Sequence, residues 1–212
     1  MTLPERMAKR WRYWALICLV LTSGCSSILP SRENVPKNFY VLEAAAAGKP
    51  RFAPQGPSIQ VSRIRTAPGY GGTGMMYVEH RHRLDHFLHH RWADTPARML
   101  EPLVIGTLEA SGIFSAVVSP DARTRTDLRL DTEFLRLVRR FEGDRSRVDL
   151  AIRASVVDTR RASLAPSRVI EITEPVVDPT PYGGVEAANR AVARMLERLQ
   201  VFLEEQVSRG PR

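Results

Sequence analysis

The order of apolar and polar positions predicts several strands. Apolar and polar residues alternate along residues 148–156, which is typical of a strand with one buried face. Residues 127–138 predict a longer strand, and its apolar positions change phase at Leu135, which indicates a β-bulge. Shorter β-prone segments are residues 38–42, 58–64, 75–78, 114–118 and 168–174.

Two helices are predicted from a period of about 3.6 residues. The first begins at Thr95-Pro96, an N-cap residue type followed by a proline in the first turn, and ends before Gly112. The second follows Gly183-Gly184, and its apolar face is formed by Val185, Ala188, Val192, Met195, Leu199 and Phe202. Together the elements predict an α+β fold, a single domain with a mainly antiparallel sheet and two main helices packed on one face.

Residues 1–24 have the layout of a secretory signal peptide. Four basic residues precede the uncharged apolar run Tyr13–Leu21. As a helix this run would rise only about 14 Å, roughly half of a bilayer core, so it is too short for a finished transmembrane helix. The next residues, Leu21-Thr22-Ser23-Gly24-Cys25, resemble the lipobox of bacterial lipoproteins. An uncleaved anchor, or a secreted protein with a spare Cys25 thiol, is the alternative.

Composition agrees with one globular domain. The chain has 212 residues, of which 43% are hydrophobic and 25% are charged, and its formal net charge is +8. Removing residues 1–24 takes away four basic residues and one acidic residue, which lowers the charge to +5 (8 − 4 + 1). Cys18 would leave with the signal peptide, and Cys25 would carry a diacylglycerol and an N-acyl chain. We therefore expect no disulfide, and no cofactor besides these covalent acyl chains.

The predicted organisation has four parts. Residues 1–24 are the signal peptide, and residues 25–37 are the lipidated Cys25 and a flexible tether. Residues 38–207 form the single domain, and residues 208–212 form a disordered tail.

Motifs for catalysis or cofactor binding are sparse. The glycines of residues 69–74 spell GxGxxG, but a strand and not a helix is predicted to follow, so we reject a dinucleotide site. All five histidines lie in residues 80–90, where interleaved arginines would repel a metal cation, so we expect a solvated hairpin and no metal site. GxSxG is absent, and no cysteine nucleophile would survive processing, so the sequence does not predict an enzyme.

Several landmarks in one order resemble the ABC-type transport auxiliary lipoprotein family. They are the opening Asn38-Phe39-Tyr40-Val41-Leu42, the Arg91-Trp92-Ala93-Asp94-Thr95-Pro96 entry to the first helix, Gly112-Ile113-Phe114, and the amphipathic C-terminal helix. The resemblance covers Asn38 to about Glu205.

The resemblance implies an outer-membrane lipoprotein that faces the periplasm of a Gram-negative bacterium. Such a protein is the auxiliary, non-ATPase component of a lipid transport system of the mammalian-cell-entry (MCE) type, and it docks to a tunnel-forming partner that works with inner-membrane components. Ser26 after Cys25 favours the outer membrane. A homo-oligomer would suit a symmetric tunnel, and nucleic acid has no place in this compartment.

Cys25 is the predicted lipidation site. Tyr77, Arg83, Arg91 and Trp92 are the predicted partner-binding residues, because arginine and aromatic side chains are enriched in interface hot spots. A tryptophan such as Trp92 beside a helix start is more often a core residue, and an arginine such as Arg91 is more often a surface charge. Two other functions stay open: a lipoprotein for envelope assembly or cell-wall binding, and a histidine-dependent periplasmic hydrolase.

Overall fold

The computed structural model describes residues 37–43, 51–161, 163–164 and 167–209. The signal peptide, Cys25 and most of the tether therefore lie outside the described residues. The strands are β1 (Asn38–Tyr40), β2 (Ser58–Val61), β3 (Arg65–Thr66), β4 (Gly74–Val78), β5 (Asp85–Trp92), β6 (Ala116–Val118), β7 (Leu128–Glu142), β8 (Arg145–Asp158), β9 (Ser163–Leu164) and β10 (Arg168–Pro175). The helices are α1 (Pro96–Ser111) and α2 (Pro181–Arg209).

A long antiparallel hairpin of β7 and β8 forms the centre of the sheet. Gly143 at its turn has φ 59°, a left-handed conformation that glycine adopts without strain. The pairing shifts between Phe134 and Arg136, which confirms the bulge predicted at Leu135. On its other side β8 pairs with β10, and this pairing is antiparallel as expected.

The opposite edge of β7 is covered by three short strands in succession. β2, β3 and β4 all run parallel to β7, and β6 runs parallel to β2. Beyond β4 lies β5, which is antiparallel to it, and β1 closes this edge by pairing parallel to β5. The predicted α+β fold is confirmed, and the sheet is mixed: the long strands β7, β8 and β10 pair antiparallel, whereas the short strands β2, β3 and β4 pair parallel to β7. Alternation reports which face of a strand is buried, and it carries no information on strand direction.

The two helices share one hydrophobic core with the sheet. α1 ends at Gly112, whose φ of 70° gives the predicted glycine cap. Its first residue is Pro96 as expected, whereas the Thr95 side chain makes no capping hydrogen bond. α2 contacts β8, β10 and α1, and all six residues of its predicted apolar face are buried. α2 extends through Arg209, two residues into the predicted tail.

The residues from Lys37 onward form one compact unit. Within the described residues, the buried apolar cluster runs from Leu42 to Leu203, so this unit holds a core of its own and is able to fold without the preceding residues. Neither described helix is long and apolar enough to cross a bilayer.

Candidate docking surface

The four predicted partner-binding residues lie on one hairpin. β4 and β5, with residues 79–84 between them, form what we call the β4–β5 hairpin (residues 74–92). The strand β4 follows the glycines of residues 69–74 directly, which confirms the expectation that no helix begins there. All five histidines also lie on this hairpin, and three of them are in β5.

An aromatic row crosses four strands at this end of the sheet. We define it as Tyr40 of β1, His90 and Phe87 of β5, Tyr77 of β4 and Phe141 of β7. Tyr40 stacks on His90 with ring centroids 5.9 Å apart, and Phe87 meets the His90 ring edge-on at 6.1 Å. Tyr77 contacts Phe87 at 4.8 Å and Phe141 at 5.8 Å. Tilted and edge-on pairs at these distances are favourable, so the row stiffens the hairpin against the sheet.

A buried arginine joins the row to the start of α2. Arg139 is only 5% exposed, and its guanidinium lies over the Phe141 ring at 4.6 Å. It donates hydrogen bonds to the Thr180 carbonyl at 2.6 Å, the Pro179 carbonyl at 2.7 Å and the Ser146 hydroxyl at 3.1 Å. Burial lowers the pKa of Arg139. The three acceptors solvate the guanidinium and position the loop that leads into α2.

Trp92 lies in the core. Its side chain is 3% exposed, and its backbone N–H donates to the Thr73 carbonyl at 2.8 Å. It packs with other core residues beneath the hairpin, so it has no surface to offer a partner and belongs to the core.

The other three predicted residues differ in accessibility. Tyr77 and Arg91 are half-buried, and the Arg91 Nε is buried without a hydrogen-bond acceptor in the described part of the chain. Arg83 is exposed and pairs with Asp85 at 2.7 Å. The hairpin thus brings all four residues together in sequence and sheet position, but they do not share one accessible surface.

The five histidines do not converge. His80 and His82 lie in the loop, His82 with φ 70°, and the other three are spread along β5. Among the residues that the structure describes, no three His, Cys, Asp or Glu side chains are placed to hold one metal ion.

Sequence reasoning missed the exposed apolar residues of this region. Leu88 is 71% exposed and Phe39 is 63% exposed, with Leu84 and Val41 also open to solvent. In sequence, Phe39 is part of a short β-prone segment that suggests burial. Leu84 and Leu88 interrupt a run of charged and polar residues, and this pattern could have predicted that they are exposed apolar residues.

The fold and this surface define an α+β domain with a hairpin rich in arginine and histidine near one edge of a mixed sheet. Residues 40–200 match the family model of the ABC-type transport auxiliary lipoprotein component. The chain belongs to this family, as its landmarks suggested, and is therefore an auxiliary lipoprotein component of ABC-type transport.

Solved structures show the same fold. Protein XCC0632 from Xanthomonas campestris, of the DUF330 family, has a TM-score of 0.71 at 17% identity, covering 82% of this chain and 99% of that one. A crystal structure titled only as an uncharacterized protein has a TM-score of 0.64 at 13% identity, covering 79% and 99%. The hypothetical protein CT253 from Chlamydia trachomatis has a TM-score of 0.50 at 6% identity, covering 71% and 99%. No curated protein matches the sequence.

Proposed function

We propose that this chain is an outer-membrane lipoprotein that faces the periplasm and serves an MCE-type lipid transport system. It is the auxiliary, non-ATPase component of a system that links the inner and outer membranes. The observation that carries the proposal is the family match over residues 40–200, which begins shortly after the lipobox at Leu21–Cys25. Acyl chains on Cys25 supply the anchor, since two or three chains hold a protein durably where one does not.

The protein acts by docking to a tunnel-forming partner and fixing one end of the tunnel at the membrane. The aromatic row suits this role because Tyr77 is partly accessible and rigidly held, and Tyr182 at the start of α2 extends the row. Tyr182 is exposed, and its ring lies 6.2 Å from that of Tyr40. Rigid tyrosines contribute contact area at a low entropic cost. Arg83 and Arg91 flank the exposed apolar residues Leu84 and Leu88 of the same hairpin.

The anchor is tested by labelling cells with a palmitate analogue and separating the inner and outer membranes. The wild type should carry label and fractionate with the outer membrane, and Cys25→Ala should lose both. Cys18→Ala is the matched control, because this residue belongs to the signal peptide and its replacement should leave labelling unchanged. Equal labelling of wild type and Cys25→Ala would contradict the anchor.

The partner is tested by solubilising membranes and purifying the tagged protein. We expect an MCE-type tunnel protein and inner-membrane transport components to be recovered. Tyr77→Ala with Tyr182→Ala should reduce that recovery, whereas Arg63→Ala, at an exposed ion pair with Asp121, should not. Recovery of a β-barrel or cell-wall component and no tunnel protein would refute the proposed system and favour an assembly or wall-binding role.

A further inference from the structure

Exposed apolar side chains are concentrated at the β1–β5 edge of the sheet. Phe39 and Val41 are 63% and 47% exposed, and Leu84 and Leu88 of the adjoining hairpin are 40% and 71% exposed. We call these four residues the edge patch. Single exposed apolar residues are ordinary on a protein surface, but a group of large ones marks a site of contact with a partner or a membrane.

The members of the patch lie on two neighbouring strands and in the loops that adjoin them. In the described part of the chain β1 is an edge strand whose partner is β5, and Phe39 is the register partner of Arg91. Leu88 lies three residues before Arg91 on β5, in the stretch where the pairing of β4 with β5 shifts register. Phe39 lies on the edge strand and is open to a surface beside the sheet.

The charge around the patch is positive. Residues 79–91 contain three arginines against Glu79 and Asp85, a formal charge of +1 (3 − 2) with all five histidines neutral. Asp85 pairs with Arg83, and Arg81 is exposed with no ion pair in the described part of the hairpin. Apolar residues beside unpaired cationic groups match the interface of an anionic bilayer.

The proposed anchor precedes the first described strand, β1, by a short segment of chain. Lys37 follows Cys25 by twelve residues, which span at most about 40 Å even when fully extended. The chain then enters the domain at β1, next to the strand that carries Leu88. The first described strand after the proposed lipid attachment point is therefore the strand that carries Phe39.

We propose that the edge patch and Arg81 form a second, non-covalent contact with a phospholipid bilayer that contains anionic lipids. The apolar side chains enter the interfacial region, and the Arg81 guanidinium binds a headgroup phosphate. The inference deepens the proposed function and rests on the anchor at Cys25 for its orientation. This contact gives the tethered domain a defined orientation on the membrane, in which the β1–β5 edge faces the bilayer and the β6 edge faces away from it.

The test uses the chain from residue 26 to 212, which holds the complete core and lacks the lipidation site. Its binding is measured by co-sedimentation with vesicles of phosphatidylcholine alone or mixed with phosphatidylglycerol. We expect binding to the mixed vesicles only, weakening as salt screens the charge. Leu88→Ser should lower the partition coefficient about tenfold, and Arg81→Gln about fivefold.

Matched controls lie elsewhere on the surface. Val201→Ser removes an exposed apolar side chain from α2, and Arg123→Gln removes an exposed arginine close to the β6 edge. Both should bind like the wild type. All variants should retain the circular dichroism spectrum and melting temperature of the wild type, because the replaced side chains are exposed.

Equal binding to both kinds of vesicle, or unchanged binding of Leu88→Ser and Arg81→Gln, would overturn the proposal. So would a Leu88→Ser protein that binds vesicles normally but no longer recovers its tunnel partner, because the patch would then be a protein interface. These outcomes are independent of the anchor, since the tested chain lacks Cys25. Failure of the anchor is seen separately, as unchanged labelling of Cys25→Ala in cells.

Discussion

The Tyr40 hydroxyl lies 3.0 Å from Nδ1 of His90, and the two rings stack at an interplanar angle of 13°. This pair joins the three-residue β1 to β5 through side chains as well as backbone. Since the chain from the proposed anchor enters the domain at β1, any pull on the tether reaches the core across this junction.

Tyr40→Phe removes the hydroxyl and leaves the ring stack. We expect the free energy of unfolding to fall by about 1 kcal/mol, the usual net value of one such hydrogen bond. Backbone amides of β1 should exchange faster, as measured by hydrogen–deuterium exchange. Tyr70→Phe, at another partly buried tyrosine, should change neither quantity. Unchanged β1 exchange in Tyr40→Phe would show that the hydroxyl does not hold the strand.

Trp92→Ala tests the assignment of this residue to the core. Removing a buried tryptophan should cost about 3–5 kcal/mol in urea unfolding. Any loss of partner recovery should then accompany a lower melting temperature, whereas Tyr182→Ala should lose recovery at a normal melting temperature. A Trp92→Ala protein with a normal melting temperature that fails to recover its partner would show that Trp92 contributes to the docking surface.

Arg139→Met tests the hydrogen bonds by which buried Arg139 holds the loop that precedes α2. The substitution removes the donor to the Pro179 carbonyl and leaves the Thr180 carbonyl only the longer bond from the Gly184 N–H at 3.3 Å, and we expect a loss of about 3 kcal/mol in the free energy of unfolding. Arg136→Met is the control, because its ion pair with Glu171 is largely exposed and such pairs are worth less than about 1 kcal/mol. Similar losses of unfolding free energy in the two variants would show that these hydrogen bonds do not stabilise the loop before α2.

Gly183→Ala tests a close approach at the start of α2. A Cβ at this position would lie 2.1 Å from the Asp178 carbonyl oxygen, so the backbone of the preceding loop would have to move. We expect a loss of about 2 kcal/mol or more in stability by thermal unfolding. At Gly71 a Cβ would meet no atom within 4 Å, so Gly71→Ala should be close to neutral.

Asp127 links folding to pH. Its carboxylate accepts hydrogen bonds from the backbone N–H and the hydroxyl of Ser58, both at 2.8 Å, and these bonds lower the pKa of Asp127. The resulting stability is present above the ordinary aspartate pKa of about 3.9 and is lost as the pH falls through the lowered value.

Asp127→Asn should therefore lose less stability than the wild type between about pH 5 and pH 2, as measured by urea unfolding at each pH. Asp144→Asn, at the exposed turn between β7 and β8, is the control and should follow the wild-type profile. Parallel profiles for Asp127→Asn and the wild type would show that the Ser58 bonds do not act through ionisation.

Much of the fold can be predicted from the local sequence pattern. The buried face of α2 was predicted residue by residue, because one helix packing on one core imposes a period that survives in the sequence. The bulge at Leu135 was predicted for the same reason, since an extra residue shifts the alternation of buried positions. Gly112 as the end of α1 follows from the left-handed conformation that a helix cap requires.

The sequence predicted only the approximate location of the candidate surface. The sequence by itself grouped the five histidines in residues 80–90, where a solvated hairpin was expected, and the structure placed Tyr77, Arg91 and Trp92 on the same hairpin. Tertiary structure decided that Trp92 is buried, that Leu88 is exposed, and that Tyr40 joins His90 across fifty positions of the chain. Strand direction was decided there as well, because parallel pairing of β2, β3 and β4 with β7 depends on how distant segments meet. Local pattern records which side of an element avoids water, and long-range packing chooses its neighbours.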